Sequence, residues 1–190
     1  MMKKEPKNNE EVSWDYVTDV LMAGTGFAGL SAAIEAGERG AEVLIVEKMK
    51  SHGGNSIISD GGIAAPETSL QKKHGIIDSI EWMYEDMMKA GMGLNNPVLL
   101  RNVVEQANEA FEWTKNKLNV PYMDRVDIFG GHRVARCYTP IGISGAVIIK
   151  KMIEHINKTD INIKYSVLLH SLITDSQGYV VGSEILEDYD

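Results

Sequence analysis

Gly24, Gly26 and Gly29 stand in a Gly-x-Gly-x-x-Gly spacing, and Glu47 follows 18 residues beyond the last of them. Glycines so spaced bring backbone against a phosphate. The first permits a sharp turn out of a strand, the second lets the chain approach a pyrophosphate, and the third lets the next helix pack closely on the strand. The first amides of that helix have no intrahelical acceptor, so the mouth formed by Gly26, Phe27, Ala28 and Gly29 attracts an anion. Glu47 falls close to the roughly 20-residue offset of an acid that accepts hydrogen bonds from a ribose diol. A carboxylate there repels a 2'-phosphate. The chemistry implied is the grip of a dinucleotide.

Three glycines alone occur in many ordinary turns, so the elements around them decide the reading. Val17 to Ala23 is an apolar strand that runs into the turn. Leu30, Ala33, Ile34 and Gly37 recur at helical spacing, Gly40 ends that helix, and Glu42 to Glu47 reads as a second buried strand. The plainer reading is a βαβ unit whose Glu47 is a solvated strand end.

Downstream, Ser51 to Pro66 is dense in glycine and small polar residues, which suits backbone passing close to a ligand. From Asp78 the pattern is helical, with Ile80, Met83, Tyr84, Met87 and Met88 on one side and Gly91 as the stop. Asn96-Pro97 is an N-cap followed by proline at the first helical position, and Leu100, Val103, Val104, Ala107, Phe111, Thr114 and Leu118 follow at spacings of three and four. The methionines of the first helix read as core filler. Asp127 to Gly145 lacks periodicity. A helix with Val147, Ile148, Met152, Ile153 and Ile156 inward comes next, and then strands at Ile161 to Tyr165, Val167 to Ile173 and Tyr179 to Leu186.

Composition sets outer bounds. A chain of 190 residues that is 44% hydrophobic and 24% charged has the makings of one buried core. A formal charge of -8 disfavours nucleic acid or an anionic membrane surface as partner, so a bound phosphate must be held by local amide dipoles. One cysteine, Cys137, allows no internal disulfide and reads as a small buried hydrophobe. Residues 1–16 read as a polar leader without the apolar stretch of a signal peptide, and no later run is long enough to span a bilayer. The expected location is the cytoplasm, with the periplasm open if the N-terminus continues further.

Gly24 to Gly29, Glu47-Lys48, Gly53-Gly54-Asn55-Ser56 and Gly61-Gly62, in this order and spacing, resemble the FAD-binding domain of the fumarate reductase/succinate dehydrogenase flavoprotein family. The likeness is nearest to the soluble flavocytochrome-type fumarate reductases and their relatives, among them urocanate reductases and ketosteroid dehydrogenases. It continues through Asp78-Ser79, Asn96-Pro97, Gly130-Gly131 to Pro140 and the Val180-Val181-Gly182 strand. It implies an α/β, Rossmann-like FAD-binding domain, a parallel sheet with helices plus a small late antiparallel β-meander. Residues 17–190 would be a partial domain, incomplete at its C-terminus and lacking the capping, substrate-binding domain.

The resemblance implies a cofactor-binding set of Gly24, Gly26, Phe27, Ala28, Gly29, Glu47, Lys48, Gly54, Asn55, Ser56, Gly61, Gly62 and Leu169. In it, Gly26 to Gly29 approach the FAD pyrophosphate and Glu47 takes the adenosine ribose. Asn55 and Ser56 bond the phosphate and ribityl region, Gly61 and Gly62 pass beside the flavin, and Leu169 contacts adenine through its backbone. Membrane-bound members link FAD to a histidine six residues before the glycine pair. Asn55 holds that position here and His52 lies three residues earlier, so the FAD is expected to be non-covalent. No metal site is expected. Where soluble members commonly carry Arg-x-His-Arg-Pro, this chain has Arg136-Cys137-Tyr138-Thr139-Pro140. Arg136 has two open roles, support of the flavin site or of a carboxylate, and a structural ion pair. His132 and Arg133 read as a solvated loop pair.

In the family, hydride passes between flavin N5 and an activated alkene or the matching saturated carboxylate. The substrate and proton-donor residues lie downstream of the segment matched here, so no catalytic residue is assigned. A dicarboxylate-like or other activated-alkene substrate would be met only with the missing domain. No haem Cys-x-x-Cys-His is present, so the electron donor is expected to be a separate subunit or a bound flavin. One reading is thus the FAD-binding portion of an oxidoreductase. The alternative is a non-catalytic flavin-binding or interaction module. A third, an NAD-dependent dehydrogenase, fits the glycine-rich stretch after Glu47 less well. The first predicts an exposed apolar face and the second does not.

Overall fold

A computed structural model of the protein describes residues 13–189. Of the polar leader, Met1 to Val12 lie outside the described residues. The nucleotide unit is β1 (Val20–Ala23), α1 (Phe27–Glu38) and β2 (Val43–Glu47), followed by a single helical turn, α2 (Gly54–Ile57), and a short strand, β3 (Ile63–Ala64). Next come α3 (Ser69–Lys73), α4 (Ile80–Ala90) and α5 (Pro97–Glu112), the last continuing as a wider π-helical turn over Trp113–Lys117. The chain goes on through β4 (Cys137–Tyr138), α6 (Gly145–Ile156), β5 (Asn162–Tyr165), β6 (Leu168–Thr174) and β7 (Val180–Leu186).

The main sheet is parallel with strand order β1-β2-β5. Central β2 is buried along its whole length, as a parallel strand covered on both faces must be. Its alternation divides the core. Val43 and Ile45 meet Leu30, Ala33 and Ile34 of α1 and Ile148, Ile149, Met152 and Ile156 of α6. Leu44 and Val46 face the other way, onto Val167, Leu169 and Ile185. Each of these large aliphatic side chains contributes about 1.5–3 kcal/mol of burial.

A second core joins α4 and α5 to the small antiparallel pair β3–β4, with Phe111 stacked 4.0 Å from Tyr138. Ser79 caps α4, Asn96 caps α5 ahead of Pro97, and Ser144 caps α6. These caps settle orphan amides and fix where each helix starts. Thr114 bonds back to the Phe111 carbonyl at 2.8 Å, which loosens the ladder just where α5 widens.

Two features differ from the sequence-based picture. The first of the three late strands, β5, joins the parallel sheet beside β2, because α6 carries the chain back across it; the antiparallel part is the hairpin β6–β7. The glycine-dense stretch after Glu47 also contains one helical turn. Gly53, at φ +104°, starts that turn, and α2 packs against Gly145 so closely that a Cβ there would stand 2.0 Å from the Ser56 carbonyl oxygen.

Candidate functional site

The C-terminal end of β1 turns sharply at Gly24, whose φ of +95° is one that side-chain-bearing residues rarely adopt. Its amide donates to the Val46 carbonyl at 2.8 Å, which ties the turn to β2. A Cβ on Gly29 would stand 2.1 Å from the Gly24 carbonyl oxygen, so only glycine lets α1 approach the strand this closely. Gly26 begins α1 in extended conformation and, among the described residues, gives it no side-chain cap. The mouth differs in this from α4, α5 and α6.

Thr25 is the hub of the turn, fully buried. Its amide and its hydroxyl both donate to Glu47 Oε2, at 2.9 and 2.5 Å, and the Gly53 amide donates to Thr25 Oγ1 at 3.0 Å. Glu47 Oε1 accepts from the Met49 amide at 2.9 Å. The carboxylate therefore points back to the glycine turn from the end of β2, one strand away from the mouth. Burial works against its ionisation. The bonds from the Thr25 hydroxyl and the Met49 and Thr25 amides, with the charge of Lys48, outweigh burial and hold Glu47 below the usual carboxylate range. A hydroxyl one residue after the first glycine, with an acid closing the next strand, is the signal from which Thr25 was readable.

Ser56 reaches the same mouth from α2. Its Oγ accepts from the Phe27 amide at 3.1 Å, and a Cβ on Gly26 would come within 3.2 Å of it. A hydroxyl that accepts from Phe27 still has its own proton to donate to an anion. Ala28, Lys48, Gly54 and Asn55 are solvent-exposed around this mouth.

The remaining sequence-derived positions are spread further. Gly61, at φ +72°, makes its close approach to protein: a Cβ would stand 2.9 Å from the Gly145 amide nitrogen and 3.0 Å from Pro140. Gly62 is exposed beside Asp60. Leu169 sits in β6 opposite Ile185 and packs towards Leu44 and Val46. It also lines a cavity of about 930 Å³ between the hairpin and the Ser13–Asp19 segment, away from the glycine turn.

Arg136 resolves to the second of its two roles. Its guanidinium is fully buried, forked onto Asp78 at 2.7 and 2.9 Å, and bonded to Asp86 at 3.1 Å. Gln71 also donates to Asp78, at 2.8 Å. His132 and Arg133 form a loop pair in which Arg133 stays exposed, as read from the sequence, and His132 is half-buried, but both are tied down by polar contacts. Arg133 binds Asp86 through its amide and Nε at 2.9 and 2.7 Å and Glu85 at 2.8 Å, and His132 Nδ1 lies 3.2 Å from Arg136. The carboxylates drawing this loop in come from α4 and the residues before it, a long way off in sequence. Cys137 is buried as expected, and burial pushes its thiol up.

The family model for the FAD binding domain matches residues 19–188. The chain is 40% identical over 186 residues to the acrylate reductase flavoprotein subunit of Shewanella woodyi, covering 96% of this chain and 36% of that protein. With the urocanate reductase of Eggerthella lenta it shares 35% identity over 181 residues, 95% of this chain and 30% of the relative. Among solved structures it is similar to the open conformation of a flavocytochrome c3 fumarate reductase, with a TM-score of 0.86 at 33% identity over 90% of this chain and 30% of the other. The chain spans roughly a third of the length of these relatives. With the glycine turn, the buried acid and the parallel sheet all in place, the chain belongs to the FAD binding domain family.

Proposed function

We propose that these residues are the FAD-binding portion of a flavin-dependent oxidoreductase that moves hydride between flavin N5 and an activated alkene or its saturated carboxylate. The observation that carries this reading is the mouth of α1, where, among the described residues, Gly26 supplies no side-chain cap and Ser56 alone reaches in to the Phe27 amide, beside the buried Glu47–Thr25 pair. The residues present fit the cofactor. Gly24 and Gly29 admit no side chain without strain or collision, and the mouth presents amides to an anion while Glu47 stands ready for a diol.

Bound FAD supplies the hydride chemistry. The chain's own residues do the holding: Gly26 to Gly29 take the pyrophosphate, Ser56 donates to it, and Glu47 fixes the ribose. Asn55 in place of a linking histidine leaves the FAD dissociable. The substrate carboxylates and the proton donor are met by the part of the relatives' length that this chain does not span, and electrons come from a separate subunit or a bound flavin. Apolar side chains left open along α5, among them Val98, Leu99 and Val103, support a portion of a larger protein over a self-contained module.

The test is to load the purified chain with FAD and supply a reduced viologen with fumarate, acrylate or urocanate. FAD uptake without turnover is expected. Robust turnover by these residues alone contradicts the division of labour, and failure to take up FAD contradicts the cofactor assignment.

A further inference from the structure

Tyr165 ends β5 and is the register partner of Glu47, so the two side chains leave adjacent parallel strands on the same side. Strand order β1-β2-β5 thus sets three features in a row at one edge of the sheet: the glycine mouth, the Glu47 carboxylate and the Tyr165 ring. Strands about 4.8 Å apart make that row about 10 Å long. Phosphate, ribose and base follow each other in the same order along a nucleotide.

The ring is held rather than loose. Its hydroxyl lies 3.2 Å from His52 Nδ1, with the two ring centres 6.3 Å apart and tilted by 51°. His52 directly precedes Gly53, whose amide is bonded to Thr25. Behind the ring, the Ser166 amide donates to the Met49 carbonyl at 3.2 Å and the Val167 amide to the Glu47 carbonyl at 2.9 Å, so the chain leaving β5 stays tied to the chain leaving β2. Burial, and then the Glu47 charge, push the Tyr165 hydroxyl up. Even so the residue is 38% exposed. An aromatic ring anchored through its hydroxyl and partly open to solvent offers a surface for a purine to stack on.

We propose that Tyr165, braced by His52, is the wall against which the adenine ring of the dinucleotide stacks. The proposal rests on the FAD reading above. It assigns to side chains of this chain a base contact that family resemblance gives to the Leu169 backbone, and it makes the site selective for the adenylate half of its ligand.

The experiment is calorimetric titration of the whole chain with FAD, ADP and FMN. Tyr165→Ala is expected to weaken ADP and FAD about ten-fold, the loss of one base stack, without change for FMN. Tyr165→Phe keeps the ring but loses its bond to His52, so it and His52→Ala each give a smaller loss than Tyr165→Ala. A folded Tyr165→Ala protein that binds ADP as the wild type does overturns the wall and leaves the FAD reading intact. A wild-type chain that binds neither FAD nor ADP overturns both. If Tyr165→Ala does not fold, photolabelling of the wild type with 2-azido-ADP decides: label on the peptides carrying His52 or Tyr165 supports the wall, and label confined elsewhere overturns it.

Discussion

Glu47 Oε2 accepts both the amide and the hydroxyl of Thr25, at 2.9 and 2.5 Å. This one contact joins the glycine turn after β1 to the end of β2 and holds the acid beside the mouth of α1. Thr25→Val keeps shape and burial but removes the hydroxyl that serves both Glu47 and the Gly53 amide. Hydrogen bonds to a charged group are worth about 1.5–3 kcal/mol each, and a buried amide left unpaired adds to the loss. Urea unfolding should show a destabilisation of about 2–4 kcal/mol; a change under 1 kcal/mol contradicts the role of the hub.

Gly29→Ala places a Cβ 2.1 Å from a backbone oxygen that has nowhere to go. The strain is predicted to cost about 3 kcal/mol or more and to abolish FAD retention. Gly40→Ala is the control. Unlike Gly29 it has a positive φ, but a Cβ there meets nothing within 4 Å and it lies past the far end of α1, so it should lower the thermal midpoint and spare FAD binding.

Acid should weaken the fold in two stages. His132 is held below its ordinary value by burial and then by Arg136, which as a pure donor needs an unprotonated Nδ1. The unfolded chain takes up this proton near pH 6.5, before the folded one, so the contribution is complete above that pH and is lost as pH falls below it. For Asp86, burial opposes ionisation, but the Arg133 bonds and the Arg133 and Arg136 charges hold it low; Glu47 is also low. Their contributions are complete above about pH 4 and are lost as pH falls further. His132→Gln keeps a neutral acceptor and should flatten the urea-midpoint slope between pH 5 and about 6.5. An unchanged slope places the proton uptake elsewhere.

Arg136 and Asp78 form a fully buried fork. Removing one partner strands the other charge, so Arg136→Met should cost about 3–5 kcal/mol. Arg136→Lys cannot reproduce the fork and should not restore stability. The double variant Arg136→Met, Asp78→Asn should recover part of the loss, measured as coupling in a double-mutant cycle. Strict additivity contradicts the pairing.

The cradle was legible in sequence because its demands are local: Gly24 needs a backbone angle, Gly29 needs the absence of a Cβ, and both needs are written as glycine. The cap at Asn96 and the apolar periods of α1, α4 and α6 were legible for the same reason, while the caps at Ser79 and Ser144 were not read from the sequence. Arg136 was not, since its partners Asp78 and Asp86 lie 58 and 50 residues upstream and no local pattern announces a long-range ion pair. The pairing of β5 with β2 was hidden likewise: a four-residue strand reads the same whether its neighbour is the next strand or a distant one. Thr25 was overlooked because the motif is read through its glycines, while the residue between them carries the link to Glu47.

The most direct test of the central claim is fluorescence titration of FAD into the wild-type chain and the Glu47→Gln variant. The account predicts saturable, dissociable binding by the wild type and affinity weaker by about ten-fold or more in the variant, the loss of a charged hydrogen-bond acceptor for the ribose diol. Equal affinity in the two proteins, or a wild type that binds no FAD, contradicts it.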